Sequence, residues 1–137
     1  METFSLDSDI KVFYVTAASF PEGILDAHAQ LHKLVPFAID RNYFGLSRPE
    51  DNGGIIYRAA AEERTRGEAE KYHLDTLTLK KGKYIYKMVT DFRNDQGSIE
   101  HAFQDLLTSP GLDPQGYCVE WYANDKEEVR CMIRLKD

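Results

Sequence analysis

The stretch Tyr117-Cys118-Val119-Glu120-Trp121-Tyr122 is built of β-branched and aromatic residues around a single carboxylate, and it reads as a strand. Residues 128–135, Glu-Val-Arg-Cys-Met-Ile-Arg-Leu, read as its hairpin partner around Ala123-Asn124-Asp125-Lys126. Side chains alternate between the two faces of a strand, so Tyr117, Val119 and Trp121 share one face and Cys118, Glu120 and Tyr122 the other. Matching the apolar sets places Trp121 in the core with Cys131 and Ile133. Cys118, Glu120, Tyr122, Arg130 and Met132 then line the second face, in a register that sets Glu120 across from Arg130.

Working outward, the same order of elements occurs twice. Before the hairpin, residues 83–90 read as a strand, and Ser98 caps a helix with Ile99, Ala102, Phe103 and Leu106 on its apolar face, closed by Pro110-Gly111. Earlier in the chain, residues 10–17 read as a strand. A helix over about 22–35 follows, with Ile24, Ala27, His28, Leu31 and Val35 at helical spacing and Pro36 as its stop. Residues 43–47 and 54–61 are two further strands, joined by the turn formers Arg48 to Gly53. A shift of 75 lays Ile24 on Ile99, Ala27 on Ala102 and Leu31 on Leu106, and carries Gly45 onto Glu120.

The expected fold is therefore α+β: duplicated βαββ units with pseudo-two-fold symmetry and two helices on one face of a mainly antiparallel sheet. The opposite face would form a ligand cleft where the halves meet. One domain is expected over 1–137, with half 1 at about 10–61, an acidic connection with room for a short helix at about 62–76, and half 2 at about 77–135.

The chain has 137 residues, with 17 Lys and Arg against 23 Asp and Glu, a net charge of −6. Such a balance repels a phosphate backbone and argues against direct nucleic-acid contact; a partner drawn by charge would be cationic. No apolar run reaches the roughly 20 residues that span a bilayer, and the polar start has no signal-peptide pattern. Cys118 and Cys131 are too few for a disulfide framework and too far apart for a zinc knuckle. These features point to a cytoplasmic protein with free thiols; the oligomeric state is not legible.

Two readings of Glu120 stand side by side. It is an exposed glutamate in a cross-strand salt bridge to Arg130, worth at most about 1 kcal/mol. Or it is a partly desolvated carboxylate aimed into the cleft, suited to a cationic ligand or to general-base chemistry.

The run Lys81-Gly82-Lys83-Tyr84, the helix after it, and Tyr117 to Tyr122 followed by Ala123-Asn124-Asp125 resemble the GyrI-like small-molecule-binding domain, of the wider group that includes the SOUL haem-binding proteins. Tyr43-Phe44-Gly45-Leu46-Ser47 resembles the matching strand of the first half, with the family's glycine at Gly45. The resemblance spans about residues 10–135. Trp121 departs from it, because a polar residue is common between that Glu and Tyr. The resemblance implies a cleft for planar, lipophilic and often cationic compounds, with the strand glutamate meeting the positive charge. It also implies relatives that modulate DNA gyrase, and others that hydrolyse the cyclopropane of DNA-alkylating compounds. The chain has no room for a helix-turn-helix, so a two-domain transcription regulator is not expected.

Other constellations carry less. His28 and His32 are four apart on a helix, but no third ligand lies nearby, and no metal is expected. His73 and His101 are not singled out as haem ligands, and no cofactor is expected. Cys118 lacks a histidine partner for thiolate chemistry, and Asn52-Gly53-Gly54 is a turn without the lysine of a phosphate cradle. Two functions follow for the same cleft. One is a binding module for a lipophilic aromatic compound, serving sensing, sequestration or toxin protection. Its counter-charge is Glu120, with Tyr43, Tyr57 and Tyr122 as walls and Gly45, Cys118, Trp121, Arg130 and Met132 alongside. The other is a hydrolase in which Glu120 is the general base on a water attacking a strained ring. Modulation of gyrase is a third reading and rests on the family name.

Overall fold

The computed structural model describes residues 2–94, 97–122 and 128–137. In it the chain forms β1 (Glu2–Leu6), β2 (Ile10–Thr16), α1 (Ile24–Leu34), β3 (Tyr43–Pro49), β4 (Ile55–Glu62), α2 (Glu68–Lys71), β5 (Asp75–Leu79), β6 (Gly82–Thr90), a 3-10 turn (Phe92–Asn94), α3 (Ser98–Leu106), β7 (Cys118–Tyr122) and β8 (Glu128–Arg134). All eight strands join one curled antiparallel sheet, in the order β1-β6-β8-β7-β3-β4-β2-β5. Read from either end, that order gives the same pattern of elements, so the two βαββ units meet at β3 and β7. The expected turn at 123–126 lies outside the described residues.

The registers quantify the duplication. Val12 pairs with Glu62 as Tyr84 pairs with Arg134, a shift of 72 for both outer strands of each unit. Tyr43 pairs with Ala61 as Cys118 pairs with Ile133, a shift of 75 for the inner strand, which the helices share. Each unit has also gained an edge strand absent from the expectation: β5 beside β2, and β1 beside β6. β1 arises from the N-terminal segment and β5 from the connection, which does hold a short helix, α2. Both strands are short and carry only every second apolar residue, such as Phe4 and Leu6 or Leu77 and Leu79, because they cover one face alone.

Helix α1 packs on β2 and β4, and α3 on β6 and β8. Ala27, Leu31 and Val35 meet Phe13, Ala59 and Ala61 beneath α1. Ala102, Phe103 and Leu106 meet Ile85, Val89, Cys131 and Ile133 beneath α3. The apolar stripes of the two helices thus do what their spacing predicts. Ser98 is the first helical residue rather than the cap, a position taken by Gly97.

The face without helices is buried too. There Val12, Phe44, Leu46, Ala60, Tyr84, Val119 and Met132 fill the hollow of the curled sheet. A sheet with two buried faces gives no polar-apolar alternation to fix its register. That corrects the hairpin: Glu120 pairs with Cys131, and Arg130 pairs with Trp121. Arg130 and Met132 lie on the helix-free face, as expected, but Trp121 lies there with them, while Cys118, Glu120 and Tyr122 lie on the helix face, the reverse of the assignment expected for β7.

Leu31 and Leu106 are duplicates at the centre of the two helix contacts, each fully buried. Leu31→Ala and Leu106→Ala should each lower the urea-unfolding free energy by about 2–5 kcal/mol. Similar losses are expected because the two sites share an environment.

Candidate functional site

Because the helices sit over the outer strands of each unit, a groove between them runs along β3 and β7. Glu120 is at its centre, directly opposite Gly45. These two residues are equivalents under the shift of 75 and also pair with each other, so they lie on the internal two-fold axis.

The groove is closed over Glu120 by side chains from both units. The Tyr57 hydroxyl, from β4, donates to Glu120 Oε1 at 2.9 Å. The Tyr122 hydroxyl donates to the same oxygen. His28, from α1, is 2.8 Å from the Tyr57 oxygen through Nε2. Since Tyr57 gives its proton to Glu120, its oxygen accepts from His28, which makes Nε2 the protonated ring nitrogen. The imidazole stands edge-on to both phenol rings, at centroid distances of 5.8 Å and 5.6 Å. Phe20 stacks on Tyr57 at 6.0 Å, and Phe92 is tilted against Tyr122 at 5.8 Å. One carboxylate is therefore held by two phenols against which three further rings pack.

Glycine is required opposite it. A Cβ at Gly45 would stand 2.5 Å from Glu120 Oε1 and 2.9 Å from Tyr57 Cζ, so any side chain would push the phenol and the carboxylate apart.

The electrostatics are lopsided. Three charged residues are buried among the described residues: Arg41, Arg134 and Glu120. Arg41 is paired with Glu68 at 3.0 Å, and Arg134 with Asp113 at 3.0 Å and Asp137 at 2.9 Å. Glu120, only 8% exposed, has two phenol donors and no cation among the described residues. Burial raises its pKa, and the hydrogen bonds from Tyr122 and Tyr57 pull the other way without cancelling it. Burial likewise raises both phenols, with the carboxylate adding to it. Burial, with some repulsion from His32, lowers His28 to about 4, so this imidazole is neutral at physiological pH.

Of the residues anticipated for the cleft, Glu120, Tyr122, Cys118, Gly45, Tyr43 and Tyr57 share this face. Tyr43 lies across from Tyr122 and stacks on Phe37 at 5.3 Å, with His32 against its ring at 5.0 Å. Arg130, Met132 and Trp121 are on the other side of the sheet, so the salt bridge between Glu120 and Arg130 does not exist. His28 was missed as a site residue. Its signal was its place on the apolar face of α1, where the helix shift of 75 lays it on Phe103. Cys118 and Cys131 are free thiols whose pKa values are raised to about 11 and about 12, first by burial and then by Glu120, so neither is a ready nucleophile. No three metal-ligating side chains cluster among the described residues, and no described helix is long and apolar enough to cross a membrane.

No family model and no curated protein matches the sequence. Solved structures do match the fold. SAV2435, determined bound to tetraphenylphosphonium, has a TM-score of 0.63 at 13% identity over 98% of this chain and 93% of its own. The Vibrio cholerae integron cassette protein VCH_CASS2 has a TM-score of 0.66 at 12% identity over 98% of this chain and 95% of its own. A Staphylococcus aureus protein named for bacterial transcription regulation has a TM-score of 0.59 at 13% identity over 99% and 97%. At such identities the shared feature is the fold.

Glu120 sets a pH dependence whose sign follows from its raised pKa. Its stabilising contribution is present at low pH and is lost as pH rises through the folded-state value. Glu120→Gln keeps an acceptor for the phenols but cannot ionise. It should unfold in urea about 1–3 kcal/mol later than the parent at pH 8, with the gap closing toward pH 5. His28 runs the opposite way: its contribution is present above pH 6.5 and is lost as pH falls through about 4. The His28 ring signals in NMR should accordingly titrate near 4.

Proposed function

We propose that the chain is a GyrI-like domain spanning residues 1–137 that binds a planar, lipophilic cation in the groove between α1 and α3, with Glu120 as counter-charge. The observation that carries this reading is the absence of any cation beside Glu120, when both other buried charges in the described chain are paired. A buried carboxylate without a cation costs several kcal/mol, and a bound cation recovers that cost. The surrounding rings add stacking surface and cation–π attraction, each worth about 0.5–2 kcal/mol. That SAV2435 has this fold and was determined with tetraphenylphosphonium makes that cation, lipophilic and aromatic though tetrahedral overall, the natural first probe. His28 fills the groove, so a ligand would displace the imidazole and take over its contacts with Tyr57 and Tyr122. A cytoplasmic site of sensing or sequestration fits the free thiols.

One observation favours a second reading in the same groove. With no arginine beside it, the carboxyl of Glu120 is held above the ordinary range, which makes it a stronger base than a salt-bridged one. A hydrolase mechanism would have Glu120 take a proton from water. The hydroxide would attack a strained ring carbon, the ring C–C bond would break, and its electron pair would end on a conjugated carbonyl oxygen that accepts a tyrosine proton.

Calorimetric titration with tetraphenylphosphonium tests the first reading. Binding should be one to one, at least tenfold weaker in Glu120→Gln, and tighter in His28→Ala, where the imidazole no longer has to leave. Equal affinity in the parent and Glu120→Gln would remove the carboxylate from the site. Turnover of a cyclopropane-containing alkylator by the parent and not by Glu120→Gln would transfer the assignment to the hydrolase.

A further inference from the structure

The two oxygens of Glu120 are treated differently. Tyr57 on β4 and Tyr122 on β7 both donate to Oε1, and no described residue donates to Oε2. A carboxylate has two equivalent accepting oxygens. A carboxylic acid has one carbonyl oxygen that only accepts and one hydroxyl oxygen that carries the proton. Two donors on one oxygen and none on the other is the pattern of the acid, with Oε1 as carbonyl and Oε2 as hydroxyl. The groups that face Glu120 fit the same state. β4 brings Tyr57, β7 brings Cys118 and Tyr122, and β8 brings Cys131 directly across. β3 brings Gly45 with Tyr43 beside it, α1 brings His28 with His32 one turn on, and Phe92 and Phe103 come from the α3 side. Burial raises Tyr57, Tyr122, Cys118 and Cys131 and lowers His28 and His32, so these six are uncharged at neutral pH. None of the facing groups is a lysine or arginine. A buried carboxyl in neutral surroundings takes up a proton rather than stay ionised alone.

We infer that Glu120 holds a proton on Oε2 while His28 closes the groove, and that a ligand binds by taking that proton's place or by accepting it. The inference rests on the groove being the cation site proposed above. Two ligand classes follow from it. A permanent aromatic cation meets a carboxylate only after the Oε2–H bond breaks, and the proton passes to solvent. A flat, weakly basic aromatic amine enters uncharged, and the proton passes from Oε2 to its ring nitrogen. There the O–H bond breaks, its electron pair stays on the carboxylate, and an N–H bond forms from the nitrogen lone pair. The product is an ion pair made inside the groove with no net release of a proton. The amine leaves water as a neutral molecule and so escapes the desolvation cost that a permanent cation carries in with it. The two classes therefore respond to pH in opposite senses. Cations gain affinity as pH rises, because the proton they displace is held less firmly. Amines keep their affinity until Glu120 ionises by itself, and then lose it.

Acridine and N-methylacridinium are the probes, since they share one flat body and differ in whether the ring nitrogen can take a proton. The side-chain carboxyl carbon resonance of Glu120 should report an acid at pH 5.5 in the protein alone, and a carboxylate after saturation with N-methylacridinium. Calorimetry in buffers of different ionisation enthalpy should count close to one proton released per N-methylacridinium bound at pH 5.5. Its affinity should rise about tenfold per pH unit until Glu120 ionises by itself. Acridine at pH 7.5, uncharged in solution, should bind with the absorption spectrum of its protonated form. Glu120→Gln should bind N-methylacridinium at least tenfold more weakly, with an affinity flat from pH 5 to 8, and should take acridine as the free base. If that variant fails to fold, the proton count and the carboxyl resonance of the parent still decide. A carboxyl already ionised at pH 5.5 in the protein alone would overturn the exchange and leave the cation site standing. So would N-methylacridinium bound with no proton released between pH 5 and 8, or acridine bound to the parent as the free base. Failure of both molecules to bind would overturn the cation site and the exchange together.

Discussion

A carboxylate buried on the internal two-fold axis, facing a glycine and hydrogen-bonded by two phenols, is the constraint around which this molecule is arranged. The axis is where the two units contact each other through β3 and β7, between the strand pairs on which α1 and α3 pack. A charge there cannot be duplicated. Two facing carboxylates across Gly45 and Glu120 would repel at van der Waals distance, and two ordinary side chains would not fit. The pair is therefore obliged to be asymmetric, one residue supplying the group and the other the space.

That asymmetry spreads through the groove. Tyr57 corresponds to Val129 in the second unit, Tyr122 to Ser47 in the first, and His28 to Phe103. Each donor or ring that serves Glu120 thus has an equivalent that does not, and the second half of the groove is simple packing. The helix-free face has kept its symmetry in Tyr14 and Tyr86, Arg58 and Arg130, Asp75 and Glu2. Where the axis forces a single charge, the copies have diverged; on the face away from that charge, they have not.

Much of this was legible in the sequence. Helical spacing gave both apolar stripes, strand composition gave six of the eight strands, and the shift of 75 paired Gly45 with Glu120 before any coordinates. The edge strands β1 and β5 were not legible because a strand that covers only one face with two or three apolar residues looks like polar loop. The hairpin register was misjudged for a deeper reason. Alternation identifies two faces but cannot rank them when both are buried, and here Met132 and Val119 are as fully covered as Cys131 and Val129. Trp121 between Glu120 and Tyr122 was the clue. A large ring with a polar tip suits a face capped by arginines, and its Nε1–H finds Asn42 Oδ1 at 3.2 Å.

The corrected register changes the chemistry as well as the geometry. With Arg130 opposite, Glu120 would be a satisfied surface ion, low in pKa and of little use to a cation already matched inside the protein. On the helix face its partners among the described residues are neutral: two phenols and, through one of them, a neutral imidazole. Neutral donors soften the burial of a charge without cancelling it, since hydrogen bonds to a carboxylate return about 1.5–3 kcal/mol each against a desolvation penalty that is larger. The groove is thus left with a residual demand for positive charge, while His28, the one nearby side chain able to supply it, is held neutral by the same burial. A group that filled the groove with its own cation would have silenced it. A histidine too deeply packed to protonate closes the groove and leaves the demand in place.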